Sequence, residues 1–159
     1  MNSRHLVRRL LRIICFAWLA WLSTSGSGVI AGPIMLVTAQ EAGLPPDSAP
    51  PTTRGILRGP GIKILSPGDN AIGAAGSFKL RVRFEPRHGH PVDPASVTLV
   101  YLRGGGIDIT SRIREGISSD GIDVGEALVP AGEHQFRLTL KDVDGRSTSS
   151  LIRVKVAPR

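Results

Sequence analysis

From Phe78 to Phe84 the side chains alternate without a break, with Phe78, Leu80, Val82 and Phe84 apolar and Lys79, Arg81 and Arg83 basic. A period of two is the pattern of a β-strand with one face against a core and the other in water. The same period recurs near the C-terminus, where Phe136, Leu138 and Leu140 precede Asp142-Val143-Asp144-Gly145, and Ile152, Val154 and Val156 follow. Two alternating runs joined by an Asp-Gly turn predict a β-hairpin.

Shorter segments fill in the remainder. Ile62 and Ile64 start a strand that stops at Ser66-Pro67-Gly68-Asp69-Asn70, residues that preset or relax a turn. Ser96 to Leu102 is apolar on both sides, as a central strand would be, and Gly104-Gly105-Gly106 ends it. A further segment runs through Ile107 to Thr110, and another through Gly121 to Val124. No run of twelve or more residues after Gly61 shows a helical period. About seven short strands at this spacing predict an all-β fold, an antiparallel β-sandwich.

The turn chemistry carries a resemblance. Lys63-Ile64-Leu65-Ser66-Pro67-Gly68-Asp69-Asn70, then Leu128-Val129-Pro130-Ala131-Gly132-Glu133-His134 and Asp142-Val143-Asp144-Gly145, resemble the opening turn and closing strands of bacterial immunoglobulin-like domains. The resemblance spans Ile62 to Val156 and departs from the simplest pattern in having Asp69-Asn70 where a glycine is usual. It implies an immunoglobulin-like sandwich used outside the cytoplasm for adhesion, spacing, or contacts with proteins and glycans.

Charge points the same way once it is located. The formal net charge is +7, but Arg4, Arg8, Arg9 and Arg12 all precede the first apolar run and no acidic residue occurs before Glu41. From Gln40 onward 16 basic face 13 acidic residues. Most of the basic excess is therefore a targeting feature. Basic residues followed by Ile13 to Leu22 have the form of an export signal. The small residues of Val37-Thr38-Ala39 offer a cleavage site, with an earlier cut within Ser23 to Gly28 as the alternative. Retention as a membrane anchor is a third outcome, because the 25 residues from Ile13 to Val37 would make about 37 Å of helix. The only cysteine, Cys15, falls in this leader, so the exported part holds neither disulfide nor thiolate site.

Between Gln40 and Gly61 lie Pro45, Pro46, Pro50, Pro51 and Pro60 among small residues, which predicts an extended, mobile tether. The expected organisation is a signal peptide or N-terminal hydrophobic anchor helix over 1–39, a Pro-rich linker over 40–61, and the immunoglobulin-like sandwich over 62–157.

Chemistry-bearing motifs are sparse. Asp142 and Asp144 two apart invite calcium, but Arg146 to Ser149 bring no further carboxylate, and a turn is the simpler reading. His88, His90 and Asp93 form the metal-like cluster, set in a loop rich in Pro and Gly, where exposed histidine is the simpler reading. Glu133-His134 has the residue types of an acid-base pair, but in the family the chain resembles that position enters a strand, and local packing or capping is the simpler reading. Gly104 to Gly106 has amides for an anion, but no helix is predicted after it. No serine elbow, phosphate loop or dinucleotide fingerprint occurs. No catalytic residue and no cofactor is therefore expected. The domain's aromatics are Phe78, Phe84, Tyr101 and Phe136, too few for stacking on sugars or single-stranded nucleic acid.

Arg81, Arg83, Arg137, Lys141, Arg153 and Lys155 all fall on predicted outward positions. If their strands share a sheet, they form a basic stripe suited to a polyanion. The expected function is a non-enzymatic module at the bacterial envelope, periplasmic or surface-exposed, for protein interaction, adhesion or spacing. The alternative is an accessory module that binds an anionic glycan through that stripe. Nucleic acid is not an expected partner, and membrane contact is expected only through an uncleaved leader.

Overall fold

The computed structural model describes residues 32–47, 59–68, 76–87 and 89–157. The body of the leader and His88 lie outside the described residues, as do residues 48–58 of the predicted linker. Among the described residues eight strands build two four-stranded sheets. In chain order they are β1 (Ile34–Met35), β2 (Gly61–Ser66), β3 (Ser77–Glu85), β4 (Thr98–Tyr101), β5 (Ile107–Asp108), β6 (Gly121–Leu128), β7 (Gly132–Lys141) and β8 (Ser147–Val156). One sheet has the order β1-β6-β3-β2 and the other β5-β4-β7-β8. All pairings are antiparallel except β1 with β6, which is parallel. The all-β sandwich expected from the alternation is thus present.

The core lies between the two inner faces. Leu80, Val82, Phe84, Ile122 and Val124 come from the first sheet, and Leu99, Tyr101, Phe136, Leu138, Leu140, Ile152, Val154 and Val156 from the second. These are the residues at every second position of their strands, so the period of two is the direct cause of the burial pattern. The β7–β8 hairpin keeps register over its whole length, from Gly132↔Val156 to Lys141↔Ser147. Its tip is closed by Asp142, whose Oδ1 accepts from the amides of Asp144 at 3.0 Å and Arg146 at 2.9 Å. Gly145 sits at φ +79°, a conformation glycine takes without a steric penalty.

The predicted boundaries at 39 and 61 do not coincide with the edge of the packed structure. Residues 34–47 form a strap on the sandwich. Leu36 and Val37 are each only 1% exposed, and both belong to the core. Leu36 lines a small interior space with Phe78, Leu80, Leu99, Phe136 and Ile152, residues of both sheets. β1 adds the strap to the edge of β6, and Leu36 N donates to Leu128 O at 2.9 Å. A single turn of helix, α1 (Ala39–Ala42), follows. Its capping box is complete, because Thr38 Oγ1 accepts from Glu41 N and Glu41 Oε2 accepts from Thr38 N. The apolar pair Leu36-Val37 reads as the end of a leader because a leader and a buried strand share the same composition.

Two arginines hold the strap from the far side. Arg112, in the one-turn helix α2 (Thr110–Ile113), donates to Leu36 O at 2.6 Å and grips both oxygens of Glu41 at 2.6 and 2.9 Å. Arg103 donates to Ala42 O at 3.0 Å, Leu44 O at 2.8 Å and Glu133 O at 3.1 Å. The Arg112 guanidinium holds the Glu41 carboxyl well below its usual range, at about 2, with the Thr38 amide adding to the effect. Beyond Pro45 the chain stays docked: Gly104 N donates to Pro45 O at 3.0 Å, and Asp47 N to Leu102 O at 3.3 Å. The first part of the predicted tether is therefore a built element of the sandwich.

Candidate functional site

The outer face of the β5-β4-β7-β8 sheet gathers four of the six basic residues singled out above. Along β7 the outward positions are Glu133, Gln135, Arg137, Thr139 and Lys141; along β8 they are Ser147, Ser149, Leu151, Arg153 and Lys155. Register sets Asp108, Val100, Arg137 and Leu151 side by side in one row across all four strands. Arg137 is half-buried between the aliphatic side chains of Val100 and Leu151, themselves half-buried. Its Nε is buried, and no described group accepts a hydrogen bond from it.

Polar residues frame that centre. Thr98, Thr139 and Ser149 form the next row, with Thr139 Oγ1 and Ser149 Oγ 2.8 Å apart. On the other side Gln135 is opposite Arg153, and Glu133 is opposite Lys155 with an ion pair at 2.9 Å. That exposed contact lowers the Glu133 pKa and raises that of Lys155. The Thr110 hydroxyl, with the Thr110 amide that donates to Asp108 Oδ1 at 2.8 Å, lowers the pKa of Asp108. The face thus offers a cationic centre with aliphatic flanks and a polar border.

Arg81 and Arg83 are not part of it. Both lie on β3, in the other sheet, and point out of the opposite side of the sandwich. Arg81 pairs there with Asp123 at 2.9 Å. The single stripe is therefore divided, since its condition, that first and last strands share a sheet, is not met. On that second face Lys63 stands directly opposite Arg83 across the β2–β3 ladder.

The described residues of the two metal-like clusters make structural bonds. Asp93 Oδ1 caps a short 3-10 turn, Pro94–Ser96, by accepting from Ala95 N at 2.9 Å. His90 Nδ1 lies 3.1 Å from Asp144 Oδ2. Asp144 also pairs with Arg146, which meets Asp142 Oδ2 at 3.0 Å through Nε. A guanidinium thus occupies the place between the two carboxylates where the calcium reading would put its ion. Among the described residues no group of three His, Cys, Asp or Glu side chains converges on one point.

His134 is fully buried, with Nε2 2.9 Å from Pro130 O and Nδ1 2.9 Å from Tyr101 Oη. A carbonyl only accepts, so Nε2 carries the proton and Nδ1 of the neutral ring accepts from the tyrosine. Burial lowers the His134 pKa, and it raises that of Tyr101. Glu133 points outward to Lys155, so the two neighbours in sequence do not form an acid-base pair. The three glycines 104 to 106, at φ +63°, +92° and +92°, present an amide to a carboxylate of the chain's own strap: Gly105 N donates to Asp47 Oδ1 at 2.8 Å.

Sequence reasoning identified Arg137 but not its setting. Alternation shows that a side chain points outward; it does not show which strands flank it, and so it cannot reveal Val100 and Leu151 as walls.

No protein-family model matches the chain, and no curated protein matches it. Among solved structures, the chain is similar to part of a crystallised engineered protein, at 21% identity with a TM-score of 0.43. The match covers 62% of this chain and 20% of that one, so the chain spans about a fifth of that protein's length.

Proposed function

We propose that this chain is a non-enzymatic, exported immunoglobulin-like module that contacts a protein at the bacterial cell envelope. The contact is made by the outer face of the β5-β4-β7-β8 sheet. The observation that carries this reading is the row Val100–Arg137–Leu151 within its polar frame. Protein interfaces favour arginine and apolar area at the centre with polar residues at the rim. The immunoglobulin-like assignment is supported by the two four-stranded sheets and by the Pro130-Ala131-Gly132-Glu133-His134 segment, where the histidine closes onto the proline carbonyl. Export is supported by the arginines and apolar run of the leader.

The test is proximity labelling and capture from envelope extracts with the wild-type chain, Arg137→Asp, and a control carrying Arg81→Ser and Arg83→Ser. A partner captured by the wild type and the control but lost with Arg137→Asp supports the reading. Capture that is the same for all three, or absent for all, counts against it.

A second reading is favoured by one specific feature, the buried Arg137 Nε without an acceptor, beside Lys141, Arg153 and Lys155. A carboxylate or sulfate of an anionic glycan would meet the solvent-facing part of the half-buried Arg137 guanidinium and its cationic neighbours through charge-assisted bonds. Retention on an anionic polysaccharide column, lost with Arg137→Gln and kept with Arg81→Ser and Arg83→Ser, distinguishes it from protein recognition.

A further inference from the structure

The strap decides which part of the leader can be removed. A cut after Ala39 would take away β1, the buried side chains of Leu36 and Val37, the Thr38 cap, and the Leu36 carbonyl that receives Arg112. Glu41 would keep its ion pair with Arg112, but the half of the capping box that orients it would be gone. The surviving chain would expose the interior that Leu36 shares with both sheets. Of the chain's two compact units, the one that holds both sheets has its first described residue at Gly32.

The sequence repeats the same Val-x-Ala pattern eight residues earlier, at Val29-Ile30-Ala31. Ala31 is the one alanine between Trp21 and Thr38. A signal peptidase takes small residues at the last position before the cut and two positions ahead of it, alanine above all at the last. A cut there makes a leader of 31 residues, against the roughly 15–30 of ordinary export signals; the cut at Ala39 exceeds that range clearly. The new N-terminus would be Gly32-Pro33, both exposed, immediately ahead of β1.

We propose that the chain is processed by signal peptidase between Ala31 and Gly32, leaving the strap whole. The step is hydrolysis of that one peptide bond: water adds across it, a carboxylate forms on Ala31 and an amine on Gly32. This rests on the export reading of the leader.

The experiment is expression of the full chain in a bacterial host, fractionation, and intact mass with N-terminal sequencing of the product in each fraction. The expected product is extracytoplasmic and begins at Gly32. Ala31→Arg should abolish its formation, whereas Ala39→Arg, at an exposed position, should leave the cut in place. An N-terminus at Gln40, or one between Thr24 and Val29, overturns the proposed site. Full-length chain held in the membrane fraction also overturns it while leaving export intact. Full-length chain in the cytoplasm overturns the export reading itself.

Discussion

At the scale of single residues, the buried polar groups are most informative where they are satisfied and where they are not. His134 has both ring nitrogens engaged, one of them with the buried Tyr101 hydroxyl. Replacing His134 by Ala takes the imidazole acceptor from the buried Tyr101 Oη and opens a void beside it. We expect a loss of about 2–4 kcal/mol in urea unfolding, with little change for an exposed control such as Gln135→Ala. The pH dependence has a definite sign. Burial depresses the pKa of His134 below 6.5, so the unfolded chain takes up a proton before the folded one. The His134 contribution is present above pH 6.5 and is lost as pH falls below it toward the folded value, which a series of unfolding curves between pH 7.5 and 5 would show. Arg137 is the opposite case. Its unpaired Nε opposes folding, so Arg137→Met is expected to keep stability or raise it by up to about 1 kcal/mol while abolishing partner capture. A variant that is less stable yet still binds would refute the assignment of this residue to recognition.

At the scale of elements, the strap is the feature whose removal should matter most. Leu36 and Val37 each contribute about 1.5–3 kcal/mol by burial, a large share of the roughly 5–15 kcal/mol that holds a domain of this size together. A chain starting at Gly32 is expected to unfold cooperatively, and one starting at Gln40 to be largely unfolded or to bind a hydrophobic dye at room temperature. Circular dichroism and denaturant titration of the two truncations check this. The Arg112–Glu41 contact has its own signature. Its carboxyl titrates at about 2 in the fold against 4.5 in the free chain, so its stabilisation is present above pH 4.5 and is lost as pH falls toward 2. Glu41→Gln should remove about 2 kcal/mol at pH 7, less than the roughly 3.4 kcal/mol that the shift converts to because water screens the pair in part, and flatten the acid limb of the stability curve between these values.

At the scale of the whole molecule, the two sheets separate the basic residues into two independent surfaces. The β3 face sets Arg81 against Asp123, whereas the β7–β8 face carries Arg137, Lys141 and Arg153 with Lys155 tied to Glu133. If an anionic polymer is the ligand, removing one cation from the β7–β8 face should lower the slope of log affinity against log salt by about one. Removing one from the β3 face should leave the slope unchanged. Equal effects from both faces would mean diffuse attraction without a site, and affinity columns run at several salt concentrations would reveal it.

How much of this was legible before folding can be followed residue by residue. Phe78, Leu80, Val82 and Phe84, and the hairpin from Phe136 to Val156, announced strands and their inward faces, because side-chain direction in a strand depends only on position parity. The Asp-Gly tip was legible for the same local reason. Which sheet a strand joins depends on chain crossovers between distant segments, so the parting of Arg81 from Arg137 was decided by the tertiary structure alone. The same holds for Leu36 and Val37: their hydrophobicity marks them for removal from water, and whether that is into a membrane or into a protein core follows from what packs against them. Local chemistry determined the strands and turns of this protein; long-range packing determined where the domain begins and which of its charges meet on one face.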